Sequence, residues 1–119
     1  MQESTREKGN KGEDIAVEFL GDKGFEIIKR NFHFGRVGEI DIVAKDGEVI
    51  VFIEVKSRNN DEYGDPLESI TPQKQKKLRS AANGFLYVNK IVNTECRFDI
   101  IIIDFRGKLP KVKHLRNAM

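Results

Sequence analysis

The 119 residues contain one cysteine, Cys96, so neither an intramolecular disulfide nor a cluster of thiolate zinc ligands is available. What remains for Cys96 is a small, buried or half-buried side chain at a strand start. His33 stands beside a turn with no second histidine at ligand spacing, which directs it to the surface or to a nucleic acid rather than to zinc. No apolar run approaches the length of a membrane span, and Met1 to Lys8 lack the apolar core of a signal peptide. The expectation is a cytoplasmic protein with no membrane partner. Also missing are a Walker-type glycine loop, a Cys-x-x-Cys pair, a Ser-His-Asp arrangement and any internal repeat or low-complexity tract.

Charged residues make up 34% of the chain and hydrophobic ones 39%, which with this length describes one globular domain over residues 1–119 with a single core. The net charge of +2 conceals a division. Residues 1–70 hold ten Lys/Arg against sixteen Asp/Glu, and residues 71–119 hold eleven against three, giving −6 and +8. An acidic half beside a cationic half suits an enzyme acting on phosphodiesters, since Lys and Arg contacts to phosphate supply most non-specific affinity for nucleic acid. The same counts also fit two halves that neutralise each other across a folded domain.

The most informative stretch is Gly38 to Lys56. Two runs rich in Val and Ile flank Asp46-Gly47, the signature of a hairpin with a type I′ turn. With Asp46 and Gly47 as the two loop residues, Lys45 faces Glu48, Val43 faces Ile50, Asp41 faces Phe52 and Glu39 faces Glu54. Alternation then puts Glu39, Asp41, Glu54 and Lys56 on one face, together with Val43, Ile50 and Phe52. Opposed carboxylates with Cβ atoms roughly 5 Å apart repel. The repulsion is offset either by a divalent cation and the Lys56 ammonium, or by water on a solvated outer face.

Around this hairpin the chain divides readily. Residues 1–9 are polar and aperiodic, a frayed leader. Asn10 caps a helix over 10–23, Glu13 occupies the capping-box position, Ile15, Ala16, Phe19 and Leu20 form its apolar stripe, and Gly24 ends it. Glu13 is thus either a structural cap or a carboxylate of the site. Phe25 to Phe34 reads as a strand, and Arg30 and Arg36 are either solvated or in contact with phosphate. The polar segment Ser57 to Pro66 is a loop leaving the sheet just after Lys56; in it Tyr63 either anchors the loop or stacks on a base. Thr71-Pro72 starts a second helix whose buried stripe is Leu78, Ala81, Ala82, Phe85 and Leu86, with Asn89 near its end. Extending that stripe backwards turns Lys74 and Gln75 toward the sheet, while Lys76, Lys77 and Arg79 form a solvated face or a phosphate track. Gly84 inside this helix is tolerable. Four consecutive isoleucines within Arg97 to Phe105 require a strand covered on both faces, with Asp99 placed to pair with Arg97 or a neighbouring strand rather than with a metal. Pro110 to Leu115 is an edge strand, and the five Lys/Arg from Arg106 onward make that edge basic, whether for nucleic acid or against aggregation.

An Asp followed thirteen positions later by Glu-x-Lys, on adjacent strands behind a Glu-bearing helix, resembles the PD-(D/E)xK nuclease superfamily and, within it, archaeal Holliday-junction resolvases. More closely, Gly12-Glu13, Arg30-Asn31, Gly38-Glu39-Ile40-Asp41, Phe52-Ile53-Glu54-Val55-Lys56-Ser57-Arg58, Gly64-Asp65-Pro66-Leu67, Thr71-Pro72, Arg97-Phe98-Asp99 and Asn117-Ala118 resemble the YraN-like family of predicted endonucleases. Ile40 replaces the Pro that gives the superfamily part of its name. The resemblance implies an α/β fold of restriction-endonuclease type, a mixed sheet of about five strands in the element order αβββαββ. It implies a metal-dependent endonuclease acting on DNA, with Asp41, Glu54 and Lys56 catalytic, Mg²⁺ or Mn²⁺ held by Asp41 and Glu54 with Glu13 and Glu39, and Arg36, Arg58, Tyr63, Lys74 and Lys77 toward the nucleic acid. A junction or flap substrate and a homodimer follow as expectations. A non-catalytic nucleic-acid-binding module on the same fold, or a protein-interaction module with an acidic face and a basic tail, is the alternative.

Overall fold

The structure, a computed structural model, describes residues 5–60 and 64–119. Its elements are α1 (Thr5–Asp22), β1 (Glu26–Phe34), β2 (Gly38–Asp46), β3 (Val49–Arg58), a short 3₁₀ turn η1 (Pro66–Ser69), α2 (Pro72–Val88), β4 (Cys96–Asp104) and β5 (Lys111–Leu115). The strands form one sheet in the order β1-β2-β3-β4-β5. Neighbours are antiparallel except β3 and β4, which α2 joins as a parallel pair. This is the expected mixed α/β architecture, with η1 added between β3 and α2.

The helices cover opposite faces. Ala16 and Leu20 of α1 pack with Ile42, Ala44, Val51, Ile53, Ile101 and Ile103, while Leu78, Ala81, Ala82 and Phe85 of α2 pack with Ile40, Val43, Ile50 and Phe52. A third cluster under η1 gathers Ile70, Ile100 and Ile102. The isoleucine run of β4 is therefore split between the two sides, as an inner strand demands. Cys96 begins β4 and is half-buried, as its isolation in the sequence suggests.

Three sequence expectations are corrected. Helix α1 begins at Thr5, not Asn10, so residues 5–9 are helical rather than a frayed leader, and Asn10 with Glu13 lies inside the helix instead of forming a capping box. Arg6, Glu7 and Lys8 are good helix formers, and a helix already held by packing further along carries the poorer Gly9 and Asn10 with it. Residues 1–4 lie outside the described residues. The far end behaves as expected: Gly24 N–H donates to the Gly21 carbonyl at 3.0 Å and Phe25 N–H to that of Leu20 at 3.0 Å.

The second and third corrections concern the hairpin. Asp46 pairs with Val49, so the loop residues are Gly47 and Glu48, and only Gly47 has positive φ, at 62°. That is a turn of II′ character with glycine first, not type I′. The register moves by two residues: Val43 faces Phe52 and Ile42 faces Ile53. A shift of two preserves which face each side chain takes but changes its partner. Extended past Ile42, it sets Asp41, not Glu39, opposite Glu54.

Helix α2 starts as read, with the Thr71 hydroxyl accepting the Lys74 N–H at 3.2 Å and Pro72 in the first position. Gly84 is more than tolerable there. A Cβ at that position would overlap the ring of Phe34, which lies across the helix from β1. Gly84→Ala should therefore destabilise the protein by about 1–3 kcal/mol despite alanine's better helix propensity. Chemical denaturation checks this, and an unchanged or raised midpoint would contradict it.

Candidate metal and phosphodiester site

The β2–β3 ladder ends at Ile42 and Ile53. At the next ladder position the Val55 N–H donates to the Asp41 carboxylate, to Oδ2 at 2.8 Å, instead of to a strand carbonyl. The inward–outward alternation of β2 slips at the same residue, since Ile40 packs on the α2 side and Ile42 and Ala44 on the α1 side. A side chain thus replaces a backbone acceptor where the strands part, and Asp41 is held by the opening it fills.

Glu54 lies beside it on β3 and is only 6% exposed. Its Oε1 is 3.6 Å from Lys56 Nζ and 3.8 Å from Lys74 Nζ, so the lysine two residues along the strand and the one in the first turn of α2 converge on a single carboxylate oxygen. Burial pushes the Asp41 carboxyl up to about 7, helped by the neighbouring Glu54 charge and, more weakly, by Glu13 and Glu39. Burial also raises Glu54, against the pull of Lys74 and Lys56. Two acids held close in a poorly solvated place destabilise each other when both are charged.

Asp99 is treated differently. It is fully buried, yet it accepts from Arg97 Nε at 3.0 Å and from the Asn117 N–H at 2.9 Å, and it pairs with His114 Nε2 at 2.8 Å. Desolvation opposes its charge, but these partners hold its carboxyl below the usual value. Asp99 therefore ties β4 to the C-terminal residues and stays out of the site, as its sequence position suggested.

The other expected ligands stand around the pair and are engaged elsewhere. Glu13 Oε1 accepts from Arg30 Nε at 2.9 Å and Asn31 Nδ2 at 3.0 Å, and Arg30 also reaches Asp14 at 2.6 Å. Glu39 is 3.6 Å from the exposed His33. Among the described residues no three His, Cys, Asp or Glu side chains gather within metal-binding range. The Arg30–Asn31 hold on Glu13 was missed in the sequence, where Arg30 read as either solvated or in contact with phosphate. The clue was the joint presence of Gly12-Glu13 and Arg30-Asn31 among the resemblance motifs; Asn31 adopts a φ of 53°, which asparagine tolerates better than most residues.

Of the residues expected to touch nucleic acid, Lys74 belongs to the carboxylate pair, Arg36 is exposed in the β1–β2 turn, Lys77 is exposed on α2, and Arg58 ends β3. Tyr63 lies outside the described residues.

The family model of the uncharacterised protein family UPF0102 matches residues 12–103, from the Glu13 turn of α1 to the end of β4. The chain belongs to this family. Among UPF0102 relatives, a protein of Geobacter metallireducens is 44% identical over 110 residues, covering 92% of this chain and 89% of its own. One of Clostridioides difficile is 40% identical over 115 residues, covering 97% and 98%, and one of Chlorobium limicola 46% over 103 residues, covering 87% and 79%. The family match spans every carboxylate of the UPF0102 site described above. No described helix is long and apolar enough to cross a membrane.

The raised Asp41 carboxyl gives a pH test in metal-free protein. Asp41 keeps its proton to about pH 7 in the folded state, against an ordinary value of 3.8. The folded chain then binds more protons than the unfolded one between those values, so this group's contribution to stability is present below pH 4 and is lost as pH rises to 7. With EDTA present, Asp41→Asn should gain Tm over wild type progressively from pH 4 to pH 8. A difference that is constant or shrinks across that range would contradict the assignment.

Proposed function

We propose that this UPF0102 protein is a divalent-metal-dependent nuclease of PD-(D/E)xK type that hydrolyses DNA phosphodiester bonds at a junction or flap. The observation that carries this reading is the desolvated Asp41–Glu54 pair with Lys56 on the same carboxylate. Nothing in the packing of the core calls for a half-buried Asp41 beside a buried Glu54 at the place where two strands separate, and their raised pKa values fit a site that awaits a positive charge.

The donor set fits Mg²⁺ or Mn²⁺. Mg²⁺ keeps several waters and is bound through one or two carboxylates together with substrate phosphate oxygens, so two carboxylates and no complete protein cage are the ligand count it uses. Asp41 and Glu54 would hold the ion, with Glu13 and Glu39 within electrostatic reach as outer partners. The chemistry such an ion supplies when bound is polarisation of a phosphoryl oxygen and acidification of water.

The chain's own residues have separable tasks. The Val55 N–H fixes one Asp41 oxygen, leaving the other to turn toward the site. Lys56, one turn of the strand pleat beyond Glu54, places an ammonium where a phosphate's non-bridging oxygens or the attacking water would stand, and charge develops on those oxygens as water adds to phosphorus and a P–O ester bond breaks. The products are a phosphate monoester and a free hydroxyl. Lys74, 3.8 Å from Glu54 on the side of α2, favours the ionised form of Glu54 against the burial that opposes it.

Labelled linear, flapped and four-way-junction DNA incubated with Mg²⁺ or Mn²⁺ tests the proposal. Wild type should cut at least one of them, EDTA should stop it, and Lys56→Ala or Glu54→Gln should slow it about 10²-fold or more. Binding without cutting on every substrate, indifferent to EDTA and to both substitutions, would leave a nucleic-acid-binding module in place of a nuclease.

A further inference from the structure

On the face that α2 shares, the helix packs on β1, β2 and the first halves of β3 and β4, and the far end of β4 with β5 is left to η1. The sheet register lines up Lys56, Ile102 and Lys113 in one row across β3, β4 and β5, and Arg58, Asp104 and Lys111 in the next. Val112 packs into the α1-side core, so Lys111 and Lys113 project to the opposite face, the one that carries Lys56. Two strand spacings separate Lys56 from Lys113, about 10 Å. Lys111 and Lys113 are exposed, and among the described residues neither has a carboxylate partner, whereas Lys56 is half-buried and paired with Glu54.

A trough runs along these rows. One hollow of about 460 Å³ opens at Lys56, and a second of about 270 Å³ ends at Lys111 and Lys113; they share Arg58, Asp65 and Pro66. Two of its acids are already occupied. Asp65 Oδ1 accepts the Leu67 N–H at 2.9 Å, and Asp104 is held by Arg106 at 2.8 Å. Glu68 remains on the η1 wall. The trough therefore starts beside the carboxylate pair and ends on two cations that lack a counter-charge.

We infer that this trough receives a single strand of nucleic acid, leading it from the carboxylate pair across β4 to the edge strand, with successive phosphates on Lys113 and Lys111. This rests on the nuclease reading for the chemistry at its head, but not for the binding itself. Two joined hollows of about 460 and 270 Å³ suit one sugar–phosphate backbone better than a duplex, whose two backbones stand on either side of a major groove about 12 Å wide. The substrate class is then DNA with an unpaired tail, and the exposed cations Lys76 and Arg79 on the outer side of α2 take no part.

Fluorescence anisotropy of a labelled single strand in EDTA, with a matched duplex alongside, tests this on the full chain. Lys111→Ala/Lys113→Ala should weaken single-strand binding about tenfold and reduce the slope of log K against log salt by about 1.4, at roughly 0.7 per phosphate contact. Lys76→Ala/Arg79→Ala should stay within twofold of wild type. An unchanged affinity and slope in the first variant, an equal loss in the second, or no single-strand binding by wild type would overturn the trough. If Glu54→Gln abolishes cutting while Lys111→Ala/Lys113→Ala binds normally, the trough fails and the nuclease reading stands. If the first variant loses binding but wild type cuts nothing with any divalent ion, the trough stands and the nuclease reading fails.

Discussion

The site depends on the hydrogen bond from the Val55 N–H to Asp41, because it marks where β2 stops pairing with β3. Had the ladder continued, Asp41 would stand on a regular strand and its carboxylate would be free to turn to solvent. Instead it is drawn into the gap between two strands and fixed beside Glu54. Burial then raises both carboxyls, and Lys56 and Lys74 close on Glu54 from the strand and from α2. The two acids are brought together by a backbone requirement, and their repulsion is a consequence the fold leaves standing.

The contrast with Asp99 shows that this is not how the fold treats buried acids in general. A few residues away on the neighbouring strand, Asp99 has a guanidinium, an imidazole and a backbone N–H on its two oxygens. That carboxylate is satisfied and structural, and it stitches β4 to β5 and to the chain's last residues. Asp41 and Glu54 have one backbone donor and two ammonium groups at 3.6 Å and beyond, short of full compensation. Unmet electrostatic demand separates a site from a strut, since an unpaired buried charge is costly wherever it serves nothing. Glu13 is intermediate: it is clamped by Arg30 and Asn31 at the edge of the pair, so that α1 is positioned by β1 relative to the site.

Much of this was legible in the sequence, for reasons that can be named. The Val/Ile-rich runs around Asp46-Gly47, the Thr71-Pro72 start and the isoleucines of β4 are local signals, and local signals gave the strands, α2 and the buried nature of β4. The hairpin register was misread because Asp-Gly favours a type I′ turn only when both residues occupy the loop; here Asp46 stays in the strand and Gly47 leads the turn. The error of two residues left Val43, Ile50 and Phe52 together on one face as read, but it gave them other partners, and the slip at Asp41 that brings Ile40 to the same face was not visible in the pattern. The start of α1 was missed because helix propensity over Thr5 to Lys8 is weak information without the packing that extends the helix. The hold of Arg30 and Asn31 on Glu13, and the closeness of Gly84 to Phe34, join residues far apart in the chain, and no local pattern carries them.

Direct titration of the metal tests the central claim that the Asp41–Glu54 pair is a cation site. Isothermal titration of the metal-free protein with Mn²⁺, repeated in buffers of different ionisation enthalpy, reads both binding and the protons released. Wild type should bind the ion and Glu54→Gln should not, with proton release at pH 6.5 that fades by pH 8.5, because the raised Asp41 carboxyl must give up its proton to the ion. Absence of binding, or binding indifferent to Glu54→Gln and to pH, would contradict it.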